Sequence, residues 1–528
     1  MDALLALAPV AAFLAVSIAL AAWMRARSRK SGADFTTEYF IGNRSLGGFV
    51  LAMTTVATYG SVSSFVGGPG QAWQVGFGWV YMAAVQATAL FLLYGVMGKK
   101  LALVSRRLGA VTVVDVIRAR YRSDALANLS AAVIVCFFIA MMVAQFVGGA
   151  KIFEAVTGQS YVAGLALFGL AVVVYTTVGG FRGVAATDAL CGVAMLVCIV
   201  VLAGGLLSAG GGWEAIMERI GRDSPELLDP DAGGQMPLGL YATQWMLVGV
   251  FTFALPQSTV RCMGFRDERA LRRALVVGTV VIGFMMVSVT ALGVLTRGVL
   301  DGPLSEYGGS VDNIIPAAIV KSLPPALAGV AVVGPIAASI STVSSLLIGA
   351  SSSIVKDVWM HRREASGRPV LEKAVARRSQ LLTLGVGLLV FVLAIVPPDL
   401  IWKMNMFAFG GLETAFCWVL VAGLYWRRAN KRGALLSMAG GVLVYCVLMA
   451  AGVTPFGLHQ IATAMPVSLL LMIAGSLAGP ENEPDEVFFP ARAGAADDAD
   501  DPGDGDGGGV KRARPVKTGA GQRKRRVW

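Results

Sequence analysis

Apolar runs of about 20 residues recur along almost the whole chain, separated by short polar links. An α-helix needs a run of that length to cross the hydrocarbon core of a bilayer, whereas a barrel strand is shorter and alternates polar with apolar residues. Because 56% of the 528 residues are hydrophobic and 15% are charged, a soluble domain would have no use for so many apolar runs. The sequence therefore predicts an all-α polytopic membrane protein of about thirteen transmembrane helices. The predicted spans are 4–24, 47–70, 75–98, 126–149, 160–178, 187–208, 241–256, 274–296, 324–354, 380–397, 403–425, 434–451 and 461–479.

The basic residues predict the orientation of these spans. All but six of the 44 Lys and Arg residues fall in alternate links or in the tail, including the link 261–273. The positive-inside rule places these links in the cytoplasm, the N-terminus outside and the tail inside. The net charge of +11 therefore reflects topology, and nucleic acid is not an expected partner. The six exceptions are Lys151, Arg219, Arg222, Arg297, Lys321 and Lys403.

The second apolar run, from Leu46 to Trp73, is interrupted by polar and helix-loosening residues. Hydroxyls and free carbonyls at membrane depth are costly unless they pair within the protein or face a ligand. A hydrophobic helix broken in this way indicates the midplane binding site of a transporter. The alternative is that the small residues let neighbouring helices approach closely. The hydroxyl residues are Thr54, Thr55, Thr58, Ser61, Ser63 and Ser64, and the loosening residues are Gly60, Gly67, Gly68, Pro69 and Gly70.

A second interruption falls five spans later, at Ala254–Thr259, and contains Pro256. Two broken helices in corresponding positions of two halves are what an inverted repeat requires. Either break alone is weak evidence, but the pair favours a transporter. A short helix is expected in the acidic outer segment 209–240.

Three further features bear on ion binding. Ala338, Ser341 and Thr342 lie at i, i+3 and i+4, so they share one helix face. Sodium is a hard ion that takes about five oxygen ligands, which hydroxyls and carbonyls freed at a helix break can supply. The alternative is that this small-residue face is a packing seam.

Asp188, after the tight turn expected at 176–182, is either an ion way-station or a helix N-cap. Glu413 lies within an apolar run, where an acid is functional or pairs with a neighbouring helix.

Other function classes find no support. The six cysteines and two histidines show no metal spacing and no nucleophile–base pair, so neither a cofactor nor enzyme activity is expected. The tail lacks an output domain, which argues against a solute sensor, and a passive channel would have continuous pore-lining spans. The residues from 480 onward are rich in Asp, Gly and Ala and then basic, so we expect a disordered segment attracted to membrane lipid.

Several motifs resemble the sodium:solute symporter family, most closely its bacterial sodium/pantothenate branch. They are Tyr39–Ser45, Ser63–Gly70, Gln145–Ala150, Val260–Cys262, Ala408–Glu413 and the glycine-spaced segment 423–440. The resemblance covers about residues 38–479. It implies a five-plus-five inverted-repeat core of the LeuT type and alternating access. The domains expected are 1–46, a first repeat at 47–208, the outer loop 209–240, a second repeat at 241–425, two further helices at 426–479 and the tail 480–528.

The resemblance also implies functional residues. A sodium site would be formed by the carbonyls of Ala57, Gly60 and Ala338 and the hydroxyls of Ser341 and Thr342, with sodium as the coupling ion. Asp188 matches the family's acid near the inner sodium exit. Tyr59 stands where several relatives have an acid, so it has no ion role here. Pantothenate is the expected solute, with another monocarboxylate, an amino acid or a sugar as alternatives. Polar side chains placed to contact it are Ser61, Ser63, Ser64, Gln86 and Gln257.

Overall fold

A computed structural model of the chain describes residues 3–28, 41–396, 400–480 and 486–490. Within those residues the fold is helical, and one isolated β-bridge joins Leu46 to Phe265. Helices satisfy every backbone donor and acceptor inside the segment, as a lipid surrounding demands. The helices are α1 Ala3–Ser28, α2 Gly48–Tyr59, α3 Ser63–Val75, α4 Phe77–Leu108, α5 Val113–Tyr121, α6 Asp124–Thr157, α7 Tyr161–Ala209, α8 Trp213–Asp223, α9 Leu238–Gly249, α10 Pro256–Met263, α11 Glu268–Gly298, α12 Ile314–Ser322, α13 Pro325–Ala365, α14 Glu372–Ala394, α15 Ile401–Tyr425, α16 Lys431–Ala450 and α17 Ile461–Ala478.

The predicted all-α membrane architecture is confirmed, but the count of thirteen spans is not. Among the described residues, 11 helices are long and apolar enough to cross a membrane, and the broken pair α2–α3 raises the number to 12. The span predicted at 160–178 falls in the first part of α7, and the one predicted at 187–208 falls in the second.

The helix assignment of α7 continues through the turn predicted at 176–182. The backbone is helical at every residue of the 49-residue segment Tyr161–Ala209. Near its two ends, the Tyr161 hydroxyl donates to the Ala394 carbonyl (2.7 Å) and Gly205 packs against Leu323. Because α13 and α14 are joined by a short link, Leu323 before α13 and Ala394 at the end of α14 lie on the same side. Both ends of α7 therefore lie on the same side, so the chain reverses direction within Tyr161–Ala209.

Both predicted helix breaks are confirmed. Helices α2 and α3 meet at an angle of 64°, and Gly60 at the break is extended. The second break lies between α9 and α10, where Leu255 is extended and Pro256 opens α10. Proline is suited to the first position of a helix because the N–H it lacks would have no intrahelical partner there.

Glycine allows α3 to approach its neighbours closely. A Cβ added at Gly293 of α11 would lie 1.9 Å from the Pro69 carbonyl oxygen, and one added at Gly70 would lie 2.0 Å from the Val311 oxygen. Both distances are far below van der Waals contact. These glycines hold the second half of the broken helix against the rest of the bundle.

The outer segment and the tail give one confirmation and one correction. Helix α8 is the short helix expected within 209–240. Phe488 is 1% exposed, and the Arg120 guanidinium lies 5.9 Å from its ring centre, so the prediction of disorder from residue 480 is wrong at 486–490. The rest of the predicted tail, and the start of the Tyr39–Ser45 motif, lie outside the described residues.

Candidate functional site

The five oxygen-bearing groups expected to bind sodium lie together where α13 crosses the break between α2 and α3. The Ser341 hydroxyl donates to the Ala57 carbonyl at 2.8 Å and lies 3.1 Å from the Ala338 carbonyl. The Thr342 hydroxyl lies 3.2 Å from the Gly60 carbonyl and 2.9 Å from that of Ala338. All five residues are buried, and the four other than Gly60 are 1% exposed or less. The shared face of Ala338, Ser341 and Thr342 is therefore directed at the helix break, and carbonyl and hydroxyl oxygens from two helices converge there.

Gln145 of α6 supports the break from the other side. Its side-chain oxygen accepts a hydrogen bond from the Val62 backbone N–H (2.9 Å), and its carbonyl accepts one from the Ser339 hydroxyl (2.9 Å). A buried N–H released by a helix break is costly when unpaired. Gln145 satisfies one such group and ties α6 to both α3 and α13.

Asp188 is not a helix cap, because α7 continues through it. Its Oδ2 atom accepts a hydrogen bond from the Thr54 hydroxyl (2.8 Å) and forms an ion pair with Arg261 Nη2 (3.0 Å). Its Oδ1 atom has no hydrogen-bond partner among the described residues. Asp188 is 0% and Arg261 1% exposed, so the assignment of Arg261 to a cytoplasmic link is wrong.

Three of the five side chains predicted to contact the solute line one central pocket. Ser63, Ser64 and Gln86 border it, together with Gln244 of α9 and Asn405 of α15. The pocket has about 40 Å³ of free space, far less than the several hundred Å³ typical of ligand sites. Ser61 does not line it; its hydroxyl is buried and has no partner in the described part of the chain. A solute of any size requires the pocket to widen.

Sequence reasoning missed the tryptophans of this pocket. Trp79, Trp245 and Trp402 line it, and the Trp79 ring centre lies 5.0 Å from that of Trp245 and 5.7 Å from that of Trp402. All three indole N–H groups are buried without a hydrogen-bond acceptor among the described residues, and the Asn405 Oδ1 atom likewise has no donor. None of the described lining residues carries a charge. The pocket thus offers donors that the protein leaves unpaired.

A second and larger cavity adjoins the central pocket. It has about 960 Å³ of space and shares Gln244, Trp402 and Met406 with the pocket, so these side chains stand between the two. It reaches His459 and Gln460 in the connection between α16 and α17, which is predicted to lie outside. A solute entering from that side would pass Trp402.

Gln257, the fifth predicted solute contact, lies elsewhere. It lines a cavity of about 50 Å³ that also borders Arg261 and Ser345. This cavity extends to Thr112 and Asp357, whose side chains are joined by a 2.6 Å hydrogen bond at the predicted cytoplasmic side. We call it the inner cavity.

Two other residues singled out from the sequence have definite positions. The Tyr59 hydroxyl donates to the Val248 carbonyl, which links the first helix break to α9. Glu413 is 0% exposed, and neither carboxyl oxygen has a hydrogen-bond partner within the described residues. The expectation that Glu413 pairs with a neighbouring helix is therefore not met by a hydrogen bond in this structure.

Comparison with known proteins identifies relatives that span nearly the whole chain. Residues 39–441 match the model of the sodium:solute symporter family. The sodium/pantothenate symporter of Haemophilus influenzae is 40% identical over 452 residues, covering 85% of this chain and 92% of that protein. The Escherichia coli sodium/pantothenate symporter is 37% identical over 472 residues, covering 89% and 96%. Among solved structures, a sodium-coupled sialic acid symporter has a TM-score of 0.75 at 17% identity, covering 91% of this chain and 99% of its own, which shows a shared fold.

Proposed function

Because this chain belongs to the sodium:solute symporter family, we propose that it imports pantothenate together with sodium by alternating access. The observation that carries the proposal is the convergence of Ala57, Gly60, Ala338, Ser341 and Thr342 around the first helix break. Two relatives named sodium/pantothenate symporters, at 40% and 37% identity, support the choice of solute.

The residues present fit a sodium ion. The two hydroxyls donate to the three carbonyls, so each of the five oxygens has a partner. A sodium ion placed among them would take the carbonyl lone pairs, and each hydroxyl would turn a lone pair toward the ion. None of these five ligands is a carboxylate. A site made of neutral oxygens suits a monovalent cation that must also be released.

Sodium and solute can be coupled because the same break serves both. Ala57 and Gly60 present carbonyls to α13, whereas Ser63 and Ser64, one turn further along the chain, border the central pocket. An ion that fixes the geometry of the break also fixes the position of the pocket hydroxyls. By linkage, the solute then raises the affinity for sodium by the same factor.

The central pocket suits a small acid that also carries hydroxyl and amide groups, as pantothenate does. The unpaired indole N–H groups of Trp79, Trp245 and Trp402 are donors for a carboxylate, and Asn405 Oδ1 is an acceptor for a hydroxyl or amide. Ser63, Ser64 and Gln86 can donate or accept, so they complete the proposed solute contacts. We assign no solute contact to Ser61 or Gln257, neither of which borders this pocket.

The proposal extends to placement in the membrane. The protein lies in the cytoplasmic membrane of a bacterium, surrounded by lipid, with the N-terminus outside and the tail inside. The six sequence domains predicted above describe two repeats of the transport core and their flanking segments. Release of sodium toward the cytoplasm passes Asp188, whose open Oδ1 atom can contact the ion on its way.

Uptake of labelled pantothenate into proteoliposomes tests the proposal. We expect accumulation only with an inward sodium gradient, and inhibition by excess unlabelled pantothenate but not by proline or sialic acid. Accumulation of another acid, amino acid or sugar instead would contradict the solute assignment. Uptake that never exceeds the external concentration under a sodium gradient would indicate a passive channel.

A further inference from the structure

Arg261 is the largest fully buried side chain of the described residues, and it lies in the transport core. It follows the second helix break, on α10. Its Nη2 atom is 3.0 Å from Asp188 Oδ2 on α7 and 2.7 Å from the Ser345 hydroxyl on α13. Its Nε atom lies 3.2 Å from the Thr54 hydroxyl on α2. One guanidinium group therefore connects four helices of the core.

The guanidinium lies next to the proposed sodium site. The Ser345 hydroxyl that accepts from Arg261 itself lies 2.9 Å from the Ser341 carbonyl, and the Ser341 hydroxyl is a proposed sodium ligand. On its other side, Arg261 lines the inner cavity together with Gln257 and Ser345. The positive charge thus stands between the sodium site and the cavity that leads to the cytoplasmic side.

This position would otherwise be a cation site. A buried carboxylate without a counter-charge is strongly disfavoured, and it attracts any cation that can reach it. The hydroxyls of Thr54 and Thr58 lie 2.8 and 3.5 Å from Asp188 Oδ2, and the Ser345 hydroxyl lies 3.2 Å from that of Thr58. Hydroxyl oxygens are ligands of the kind a hard cation takes. Arg261 already supplies the positive charge and uses these oxygens as acceptors.

We propose that Arg261 is a built-in counter-cation for Asp188 and that it limits transport to one sodium ion per solute. A second sodium that stayed bound at Asp188 throughout transport would have to displace or closely approach the guanidinium, and like charges in a buried site repel strongly. An ion that only passes Oδ1 during release does not have to remain beside that charge. The inference rests on the proposed function, since it concerns the number of ions that accompany the solute.

A measurable consequence concerns the membrane potential. One sodium ion and one monocarboxylate carry no net charge, so the potential adds nothing to accumulation. A second sodium would add about 50-fold to the accumulation ratio for each 100 mV. The stoichiometry of the unaltered protein therefore tests the proposal without any mutation.

In proteoliposomes we expect a flux ratio of one labelled sodium per pantothenate, a sodium Hill coefficient near 1, and no stimulation by a negative-inside potential set with potassium and valinomycin. A flux ratio of two, or uptake stimulated by the potential, would overturn the role of Arg261 and leave the proposed symport intact. Absence of any sodium-coupled uptake would instead refute the proposed function.

Variants separate this role from simple packing. Arg261→Gln leaves Asp188 without its counter-charge, so we expect a second cation to be recruited, a Hill coefficient that rises toward 2 and stimulation by the potential. Arg261→Lys keeps the charge and should keep the ratio of one. Arg120→Gln is the matched control, because Arg120 is a buried arginine that donates to backbone carbonyls such as Gly423 O (2.8 Å).

Should Arg261→Gln fail to reach the membrane, the double variant Arg261→Gln/Asp188→Asn removes both charges and is expected to restore expression with a ratio of one. An active Arg261→Gln protein that retains a Hill coefficient of 1 and ignores the potential would overturn the proposal. A rise of the coefficient in Arg120→Gln would overturn it as well, because the effect would not be specific to the Asp188 pair.

Discussion

Replacing Thr342 by alanine should weaken sodium binding while leaving the fold intact. The Thr342 hydroxyl contacts the Gly60 and Ala338 carbonyls, and it would supply one of five oxygens to the ion. Losing one partner in a desolvated polar site costs about 1–3 kcal/mol. At about 1.4 kcal/mol per tenfold change, the sodium concentration for half-maximal uptake should rise about 5- to 150-fold. Ser341→Ala should have a similar effect, because the Ser341 hydroxyl contacts the Ala57 carbonyl.

The assay is the initial rate of pantothenate uptake as a function of sodium, normalised to the amount of protein in the membrane. Thr342→Ser retains the hydroxyl and should restore near-normal sodium dependence. Thr383→Ala and Ser351→Ala are matched controls, since each of these buried hydroxyls donates to a carbonyl of its own helix, that of Ser379 or Ile348. Wild-type sodium dependence in both Thr342→Ala and Ser341→Ala would mean that this face only packs helices together.

Three further outcomes are expected. Trp402→Phe removes one indole N–H and should raise the KM for pantothenate about 10-fold or more, with little change in inhibition by the analogue that has CH₂OH in place of the carboxylate. Trp73→Phe is the control, since the unpaired N–H of Trp73 lies outside the central pocket. If Trp402→Phe weakened the affinity for pantothenate and for the analogue equally, the indole would act through packing alone. Gly293→Ala should lower the amount of folded protein in detergent, because the added Cβ would lie 1.9 Å from the Pro69 oxygen. Gly385→Ala should not, because a Cβ at Gly385 would meet no atom within 4 Å. Equal stability of the two variants would contradict the close packing at Gly293. A cysteine introduced near Asp229 should react with an impermeant reagent from the periplasmic side and one near Lys517 should not, and labelling of the latter would contradict the orientation.

The sodium site could be predicted because its signals are local. Helical spacing puts Ala338, Ser341 and Thr342 on one face, and the glycine and hydroxyl residues around Gly60 indicate the break. The family resemblance then joins the two segments, which lie about 280 residues apart. The structure brings these groups within hydrogen-bonding distance.

Arg261 was misplaced because charge counting assigns residues to links by their position along the chain. An arginine at the end of an apolar run normally indicates a cytoplasmic boundary. Its burial depends on Asp188, which lies 73 residues away in the sequence and on another helix. Pairing of that kind is a property of the folded chain, and nothing in either local sequence reports it.

The tryptophans of the central pocket were missed for a different reason. Trp79, Trp245 and Trp402 each lie within a few residues of the predicted outer end of a span, which is a shared depth that could have been noticed. Aromatic residues at the membrane interface give the same pattern, however. Only the structure distinguishes a lipid-facing ring from one whose N–H is buried beside an internal pocket. Phe488 is a second residue whose burial the local sequence does not report. It lies just before a stretch rich in Asp, Gly and Ala, a composition that predicts disorder, but its ring packs near Arg120.

The most direct test of sodium–solute coupling reverses the usual experiment. Proteoliposomes with equal labelled sodium on both sides are given an inward gradient of pantothenate, with the membrane potential clamped at zero. Symport predicts that the pantothenate gradient drives sodium inward, transiently above its external concentration, and that Thr342→Ala greatly reduces this at low sodium. Entry of pantothenate without any net movement of sodium would contradict the central claim.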